Sequence, residues 1–574
     1  MARKMTSGEM LLAREAGKTN PFTGEQDDAI ERGVGVGPGQ FLKVVAFAGA
    51  GKTTGLTGVA QARTQLAGID RVGLYLAFNK VIADAAGPKF KPYGCLSKTM
   101  HALALHAIGL QGGGIKRIDV NTIKAMNVVP QVRGSGLNEF KMALSITRTI
   151  DAFCASADSK LTEKNAREAL VTLIPNPDII KDRLLAARNE AKLATLVGPV
   201  TSAARRVMQA VVDGSLPHSH NTYLKFLDLS PRLRARAFDG IGYIMIDEAQ
   251  DLNPVQRSIL EKSGLPIIAV GDPYQQIYSW RGAENALALM PDNYATVYFT
   301  QSFRFGEAIA AAGRWILASR PDNGPEKRLT GARKEDAPWP QGPETAIICR
   351  TNTGVIHEAL THADSGKAIH LTAPIDDLIV DVESAIALRE GRLDQMRSEE
   401  LMPYTHWSQL EEAAEHDRAL AKVIELVEED RLDDLRKLEQ KQTKRITNAD
   451  LVITTAHRFK GAEAPNVVLS DDFRNQKRRL AMYEEAEAKG PKAVTRALEE
   501  WNTLYVAGTR AISNLSAPAD LIEPSLQSPS PTGLVYTPDD QKSPEAVKSS
   551  PSGDPAKQKQ PVMASAPANR DIQF

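Results

Sequence analysis

Short apolar runs rich in β-branched residues and bounded by turn residues recur along the chain, at Leu42–Phe47, Val72–Phe78, Ile241–Ile246, Pro266–Val270, Thr296–Phe299, Thr345–Cys349, Leu451–Thr454 and Val467–Ser470. None shows the polar and apolar alternation of a strand with one wet face, and helical stretches separate them. Strands covered on both faces read this way in parallel sheets, so each run predicts a buried parallel strand. The runs form one group before about residue 300 and another after it. The predicted fold class is therefore α/β, with two doubly wound parallel-sheet domains.

Two helical stretches interrupt these groups. The first, 112–221, carries Lys and Arg throughout; the second is 357–448. In the second, Leu420, Val423, Ile424 and Val427 follow i, i+3, i+4, i+7 spacing, and Leu432, Leu435 and Leu438 extend the apolar stripe. That spacing predicts amphipathic helices packing on a small domain of their own, in preference to a partner-binding coil. The expected organisation is a first sheet domain from 1–111 and 222–298 with 112–221 inserted, then a second from 299–356 and 449–522 with 357–448 inserted. From 523 to 574 the chain is rich in Pro and Ser and poor in large apolar residues, so it is expected to be disordered.

Composition narrows the class. The 574 residues are 42% hydrophobic and 24% charged with zero formal net charge, which argues against a protein coating phosphates over its whole surface but allows a local basic groove. No apolar run approaches the roughly 18 residues of a membrane helix, and Met1-Ala2-Arg3-Lys4 does not begin a signal peptide. A cytoplasmic protein, or a nuclear one in a eukaryote, is expected, with no membrane partner. Cys95, Cys154 and Cys349 lie far apart and read as core residues, not as a disulfide framework or a zinc site.

Candidate chemistry sits at the ends of the predicted strands. The run ending at Phe47 leads into Ala48-Gly49-Ala50-Gly51-Lys52-Thr53-Thr54, the strand, loop and helix context of a phosphate-binding loop. Gly49, Ala50 and Gly51 offer backbone N–H groups to phosphate, Lys52 neutralises its charge, and Thr53 offers a hydroxyl to Mg²⁺. Ala46 stands where the general pattern has its first Gly. Ile241–Ile246 delivers Asp247, expected to hold Mg²⁺ through water, and Glu248, expected to activate the attacking water. Gln275, after Gly271-Asp272, is placed to sense the γ-phosphate. Arg304 and Arg510 supply positive charge to a transferring phosphoryl group, from the second domain across a cleft. Trp280, beside Tyr278 and Arg281, is expected to stack on a base. ATP and Mg²⁺ are the cofactors this set implies.

Together these segments resemble the UvrD/Rep/PcrA-like branch of superfamily 1 DNA helicases, and within it most the F-box DNA helicase subgroup, although no F-box is read. The stretch Gly271-Asp272-Pro273-Tyr274-Gln275-Gln276-Ile277-Tyr278-Ser279-Trp280-Arg281-Gly282-Ala283 is nearly that family's full third motif. Thr300-Gln301-Ser302-Phe303-Arg304-Phe305 and Leu504-Tyr505-Val506-Ala507-Gly508-Thr509-Arg510-Ala511 are similarly close to its fourth and sixth, and Tyr223-Leu224-Lys225 also matches. The likeness spans most of 20–520.

The resemblance implies RecA-like motor domains and assigns further residues. Gln26 would read adenine, Phe303 would stack on it, and Glu463, in His457-Arg458-Phe459-Lys460-Gly461-Ala462-Glu463, would bind ribose. Phe78-Asn79-Lys80, Thr99-Met100-His101 and His457 would contact single-stranded DNA. The implied activity is ATP-dependent translocation on single-stranded DNA, in the 3′ to 5′ direction, with unwinding of tailed duplexes in replication, repair or recombination. The active form is expected to be a monomer. Two other readings stay open: a translocase that strips bound proteins such as recombinase filaments, and a DNA-binding switch that uses ATP without moving. Asp571-Ile572-Gln573-Phe574 resembles the tails through which bacterial single-strand-binding proteins recruit partners, so replication or single-strand-binding proteins are candidate partners of the tail.

Overall fold

The computed structural model describes residues 22–526, apart from 67–71, 110–114, 130–138, 172–182, 280–281, 292, 334–342, 364, 374, 399–400, 402–403, 415–417 and 444. Trp280, Arg281 and the tail beyond 526 lie outside the described residues. The remainder falls into two compact units, one built mainly from Gly51–Phe299 with the segment up to Phe47, the other from Thr300 onward with Ala48–Ala50.

The first unit is built on six parallel strands, β1 (Phe41–Ala46), β2 (Val72–Ala77), β3 (Cys95–Thr99), β4 (Ile241–Ile246), β5 (Ile267–Gly271) and β6 (Val297–Phe299), in spatial order β3-β2-β4-β5-β1-β6. In this order β4, β5 and β1 are neighbours, so the loops leaving their C-terminal ends converge, while those leaving β2 and β3 lie side by side on the other flank. Helices Glu139–Ala155 and Arg183–Val212, from the stretch read as the first insert, join the sheet's own hydrophobic cluster. There Ile146, Phe153, Val200 and Val207 meet Leu74, Leu76, Ile244 and Ile246. Lys225 turns inward: its ammonium is fully buried, 3.0 Å from Asp228, which also accepts from Ser258 at 2.7 Å and pairs with Lys262 at 2.6 Å. This network ties helix His220–Leu229 to Pro254–Glu261 and gives that matched segment a structural role.

The second unit holds a short parallel pair, β7 (Gln301–Ser302) and β8 (Thr330–Gly331). Its main parallel sheet contains β9 (Thr345–Cys349), β10 (Ile369–Leu371), β11 (Leu451–Thr455), β12 (Ala464–Leu469) and β13 (Ala511–Ser516), ordered β10-β11-β9-β12-β13. The amphipathic stripe forms as expected, on helices Arg418–Glu428 and Leu432–Lys441. Its side chains do not close on a core of their own. Val423, Val427, Leu435 and Leu438 join Ile347, Leu451 and Ile453 of the sheet in one cluster, and β10 lies within the stretch read as the second insert.

All eight apolar runs are strands, with ends shifted by a few residues. The strands that the pattern missed in the two main sheets are β3, β10 and β13, each at a sheet edge. An edge strand has one side without a partner strand and tolerates polar side chains, as in the Cys-Leu-Ser-Lys-Thr of β3 and the Ala-Ile-Ser-Asn-Leu-Ser of β13. Because Leu435 is fully buried in the shared cluster, Leu435→Ala should destabilise the whole second unit by about 2–5 kcal/mol. Chemical denaturation would check this, and a loss confined to local fraying would contradict the shared core.

Candidate nucleotide and nucleic-acid site

The phosphate loop begins where β1 ends. Gly49 and Gly51 adopt φ of 73° and 75°, left-handed values that a side chain would resist, and Lys52 opens helix Lys52–Leu66. At that helix start the Lys52 ammonium lies 3.1 Å from Glu248, and the Thr53 hydroxyl donates to Asp247 Oδ2 at 3.3 Å. Asp247 is buried at the end of β4, where Tyr75 also donates to Oδ2, at 2.7 Å, and the Glu248 amide donates to Oδ1 at 3.0 Å. Glu248 is itself left-handed, at φ 55°. A non-glycine residue held there points to local constraint of the kind functional sites store.

Gln250 links this corner to β5. Its amide donates to Glu248 at 2.7 Å, and its carbonyl accepts the Asp272 N–H at 3.0 Å. The approach is so close that a Cβ on Gly271 would stand 2.4 Å from the Gln250 oxygen. Asp272 is fully buried and accepts from the Gln275 amide at 2.7 Å and the Tyr274 N–H at 3.0 Å. Gln275 is therefore anchored to the same corner.

Charge is the defining property of this corner. Burial alone would lower the Lys52 pKa, but the Glu248, Asp247 and Asp272 carboxylates outweigh it and raise it above the ordinary 10.5. Burial raises Asp247, and the neighbouring Glu248 charge adds to the rise. Burial also raises Asp272, with Lys52 acting against it. A hydroxyl and a carboxylate, oxygen donors only, in a corner with more carboxylates than ammoniums, fit a hard divalent ion such as Mg²⁺. That ion characteristically takes one or two protein ligands and completes its shell with phosphate and water. The described residues contain no cluster of three or more His, Cys, Asp or Glu placed to hold a metal.

Gln26 is buried, and its carboxamide oxygen accepts the Thr23 N–H at 3.1 Å in a capping box at the start of helix Gly24–Gly35. Its side chain reaches the first turn of helix Lys52–Leu66 beside Gly55. Thr54 is exposed in that same turn.

On the other flank, Phe78 is 38% exposed and stacks on Tyr278, with ring centroids 5.5 Å apart and planes 13° from parallel. Asn79 and Thr99 cap the helices Lys80–Phe90 and Met100–Ile108, accepting from the N–H groups of Ile82 at 2.9 Å and Ala102 at 3.1 Å. Lys80 is exposed and pairs with Asp84. His101 meets His220 and Tyr223 edge to face. Aromatic rings, one lysine and two capping side chains thus lie at the ends of β2 and β3.

In the second unit, Arg304 donates to Glu463 at 2.5 Å and to the Thr509 carbonyl at 2.9 Å. Arg510, buried, donates through Nε to Val506 at the end of helix Pro491–Gly508. The Ala464 amide bonds the Arg510 carbonyl at 3.1 Å, so Glu463 and Arg510 flank the starting ends of β12 and β13. Phe303 is 46% exposed beside Arg304. His457 sits apart from these, in the short helix Ala456–Phe459 after the far end of β11.

Sequence reasoning gave no role to Tyr75, Gln250 or Asp272. The one available signal was Tyr75, a lone hydroxyl-bearing residue in an otherwise apolar buried strand.

Residues 98–294 match the UvrD/REP helicase N-terminal domain. Over 494 residues the chain is 27% identical to F-box DNA helicase 1 of Gallus gallus, a match covering 82% of this chain and 47% of that protein. Over 548 residues it is 27% identical to F-box DNA helicase protein 1 of Schizosaccharomyces pombe, covering 87% and 57%. A shorter match, 32% over 102 residues, is to ATP-dependent DNA helicase Rep of Escherichia coli, covering 17% of this chain and 15% of that protein. These matches support a helicase of the UvrD-like branch of superfamily 1. Within that branch it is related to the F-box DNA helicase subgroup, and it spans about half the length of the F-box helicases it matches. No helix among the described residues is long and apolar enough to cross a membrane.

A pH dependence follows from two imidazoles of the first unit. Burial lowers His101 and His218 from 6.5 to about 4, with the His220 charge adding to the effect at His101. As pH falls from 6.5 to 4 the unfolded chain takes up these protons first, so the stability present above pH 6.5 is progressively lost. Urea midpoints at pH 7 and pH 5 should drop less in a His101→Gln/His218→Gln variant than in the unaltered chain. Equal drops would remove these two residues from the acid response.

Proposed function

We propose that this chain is an ATP-dependent DNA helicase that translocates on single-stranded DNA in the 3′ to 5′ direction and separates tailed duplexes. The observation that carries the reading is the Lys52 ammonium held 3.1 Å from Glu248, beside Thr53 and Asp247. That constellation suits a nucleoside triphosphate. Lys52 and the loop amides of Gly49, Ala50 and Gly51 would receive its phosphates, with Thr53 and Asp247 as the residues holding Mg²⁺. The ion would supply charge neutralisation on the phosphates. Glu248 would orient and deprotonate the water, steadied by the Gln250 amide, and Gln275 would report the γ-phosphate through its anchor on Asp272.

The two units would act as RecA-like motor domains, with 1–111 and 222–298 in the first, 299–356 and 449–522 in the second, and 112–221 and 357–448 as their inserts. Gln26, Thr54, Phe303 and Glu463 would complete the nucleotide site. Arg304 and Arg510 would bring positive charge to the phosphates when the domains close, Arg304 exchanging its Glu463 partner for phosphate. Phe78, Tyr278, Trp280 and Arg281 would hold bases and backbone on one flank with Asn79, Lys80, Thr99 and His101, and His457 would do so from the second domain. Stacking on aromatic faces tolerates any sequence, as a motor on arbitrary DNA requires. The protein would work as a monomer in the cytoplasm or nucleus, in replication, repair or recombination, with the tail as a contact for replication or single-strand-binding proteins.

The helices of 357–448 that share the sheet's core favour a second reading, a translocase that strips bound proteins and unwinds little, because that arrangement leaves less of the stretch to act as an independent duplex-engaging body.

Lys52→Ala should abolish DNA-stimulated ATP hydrolysis while circular dichroism stays unchanged; retained turnover would refute the nucleotide site. Fluorescent duplexes with opposite tails test activity and direction together. Unwinding of the 3′-tailed substrate alone is expected, robust turnover without unwinding would favour stripping, and unwinding of the 5′-tailed substrate alone would reverse the assigned direction.

A further inference from the structure

Tyr75 lies in the middle of β2, fully buried, its ring stacked on Phe90 at 4.4 Å between centroids and 23° between planes. A phenylalanine would fill the same space. The hydroxyl therefore needs its own explanation, because burying a polar group is costly unless it is bonded. Its partner is the Asp247 carboxylate at 2.7 Å, through the same oxygen that accepts from Thr53.

We propose that Tyr75 is a positioning residue for the nucleotide site, fixing the Asp247 carboxylate and the Thr53 hydroxyl in the arrangement that receives a divalent cation. This rests on the ATP-hydrolysis reading above and adds a residue to it. An ionised carboxylate only accepts hydrogen bonds, so the phenolic proton is directed to Asp247. The Asp247 oxygen that takes this proton also accepts from the Thr53 hydroxyl, at 3.3 Å. Through that one carboxylate oxygen the phenol bears on both oxygen donors assigned to the cation.

The backbone around it is already fixed. The Asp247 amide donates to the Leu76 carbonyl at 3.1 Å, extending the pairing of β2 with β4 by one residue. What remains free is rotation of the Asp247 side chain, and Tyr75 limits that rotation from one side while the Glu248 amide limits it from the other. Loss of the phenol would loosen the cation ligand and, through the Oδ1 bond, the left-handed Glu248. Groups that orient metal ligands in this way typically change metal affinity or activity roughly 10–100-fold when removed.

The test uses the full chain as Tyr75→Phe, which keeps the stack on Phe90, with Lys52→Ala and Asp247→Asn as references. Two readouts are needed: Mn²⁺ binding in the presence of ADP by electron paramagnetic resonance, and DNA-stimulated ATP turnover as a function of Mg²⁺. The expected result is Mn²⁺ affinity weakened roughly 10–100-fold, with kcat reduced, KM for ATP little changed and circular dichroism unaltered. Wild-type Mn²⁺ affinity and kcat in Tyr75→Phe, while Asp247→Asn loses both, would make Tyr75 a core residue only and overturn the proposal. Full turnover in both reference variants would instead overturn the nucleotide site, and the role of Tyr75 with it.

Discussion

One ammonium, that of Lys52, faces three carboxylates, Asp247, Glu248 and Asp272, in a corner where Asp247 and Asp272 are buried and Lys52 and Glu248 are partly so. Like charges at such close quarters would repel if left to themselves, and much of the surrounding architecture restrains them. Tyr75, Thr53 and the Glu248 amide hold Asp247, Gln250 holds Glu248, and Gln275 with the Tyr274 amide holds Asp272. The neighbouring positions of β4, β5 and β1 follow from the same need, since only adjacent strands can deliver these groups to one point. With more carboxylates than ammoniums at one point, burial raises Asp247 and Asp272 above the ordinary carboxylate range, while Lys52 acts against that rise.

The two sheets carry most of their candidate nucleotide residues at opposite ends. In the first unit the loop before Lys52, Asp247 and Gln275 follow the C-terminal ends of β1, β4 and β5, as is general for open α/β sheets. In the second, Glu463 and Arg510 precede β12 and β13, and Arg304 joins them by bonding Glu463 and the Thr509 carbonyl. The Arg304 and Glu463 pair is partly exposed, so its net stabilising contribution is small and its partners can be exchanged at modest cost. The buried Lys225 and Asp228 network has the opposite character, with fully desolvated partners that would be costly to separate.

Much of this was legible in the chain because central parallel strands advertise themselves as unbroken apolar runs, and the site residues stand directly after them. Lys52, Asp247 and Gln275, named from the sequence, stand after such runs and share one corner of the first unit for that reason. The edge strands β3, β10 and β13 were not, since one side of each lacks a partner strand and their composition blurs into that of loops. The core shared by helices Arg418–Glu428 and Leu432–Lys441 with the second sheet escaped notice on different grounds: periodicity shows that a helix has an apolar face but says nothing of what the face meets. Tyr75 bonds Asp247, and Gln250 bonds Asp272 as well as its near neighbour Glu248, and no local pattern encodes the long-range bonds. Asn79 and Thr99 supply cap oxygens to two helices, which sequence likeness, offering them only as DNA contacts, did not convey.

The three thiols of the chain, Cys95, Cys154 and Cys349, are buried, and burial pushes each above the ordinary range. Maleimide chemistry needs an accessible thiolate, so the native sequence is nearly silent toward it. A single cysteine placed on an exposed surface of either unit would then accept a dye almost alone, with no background substitutions required. The molecule is in this sense already prepared for labelling at a single chosen site.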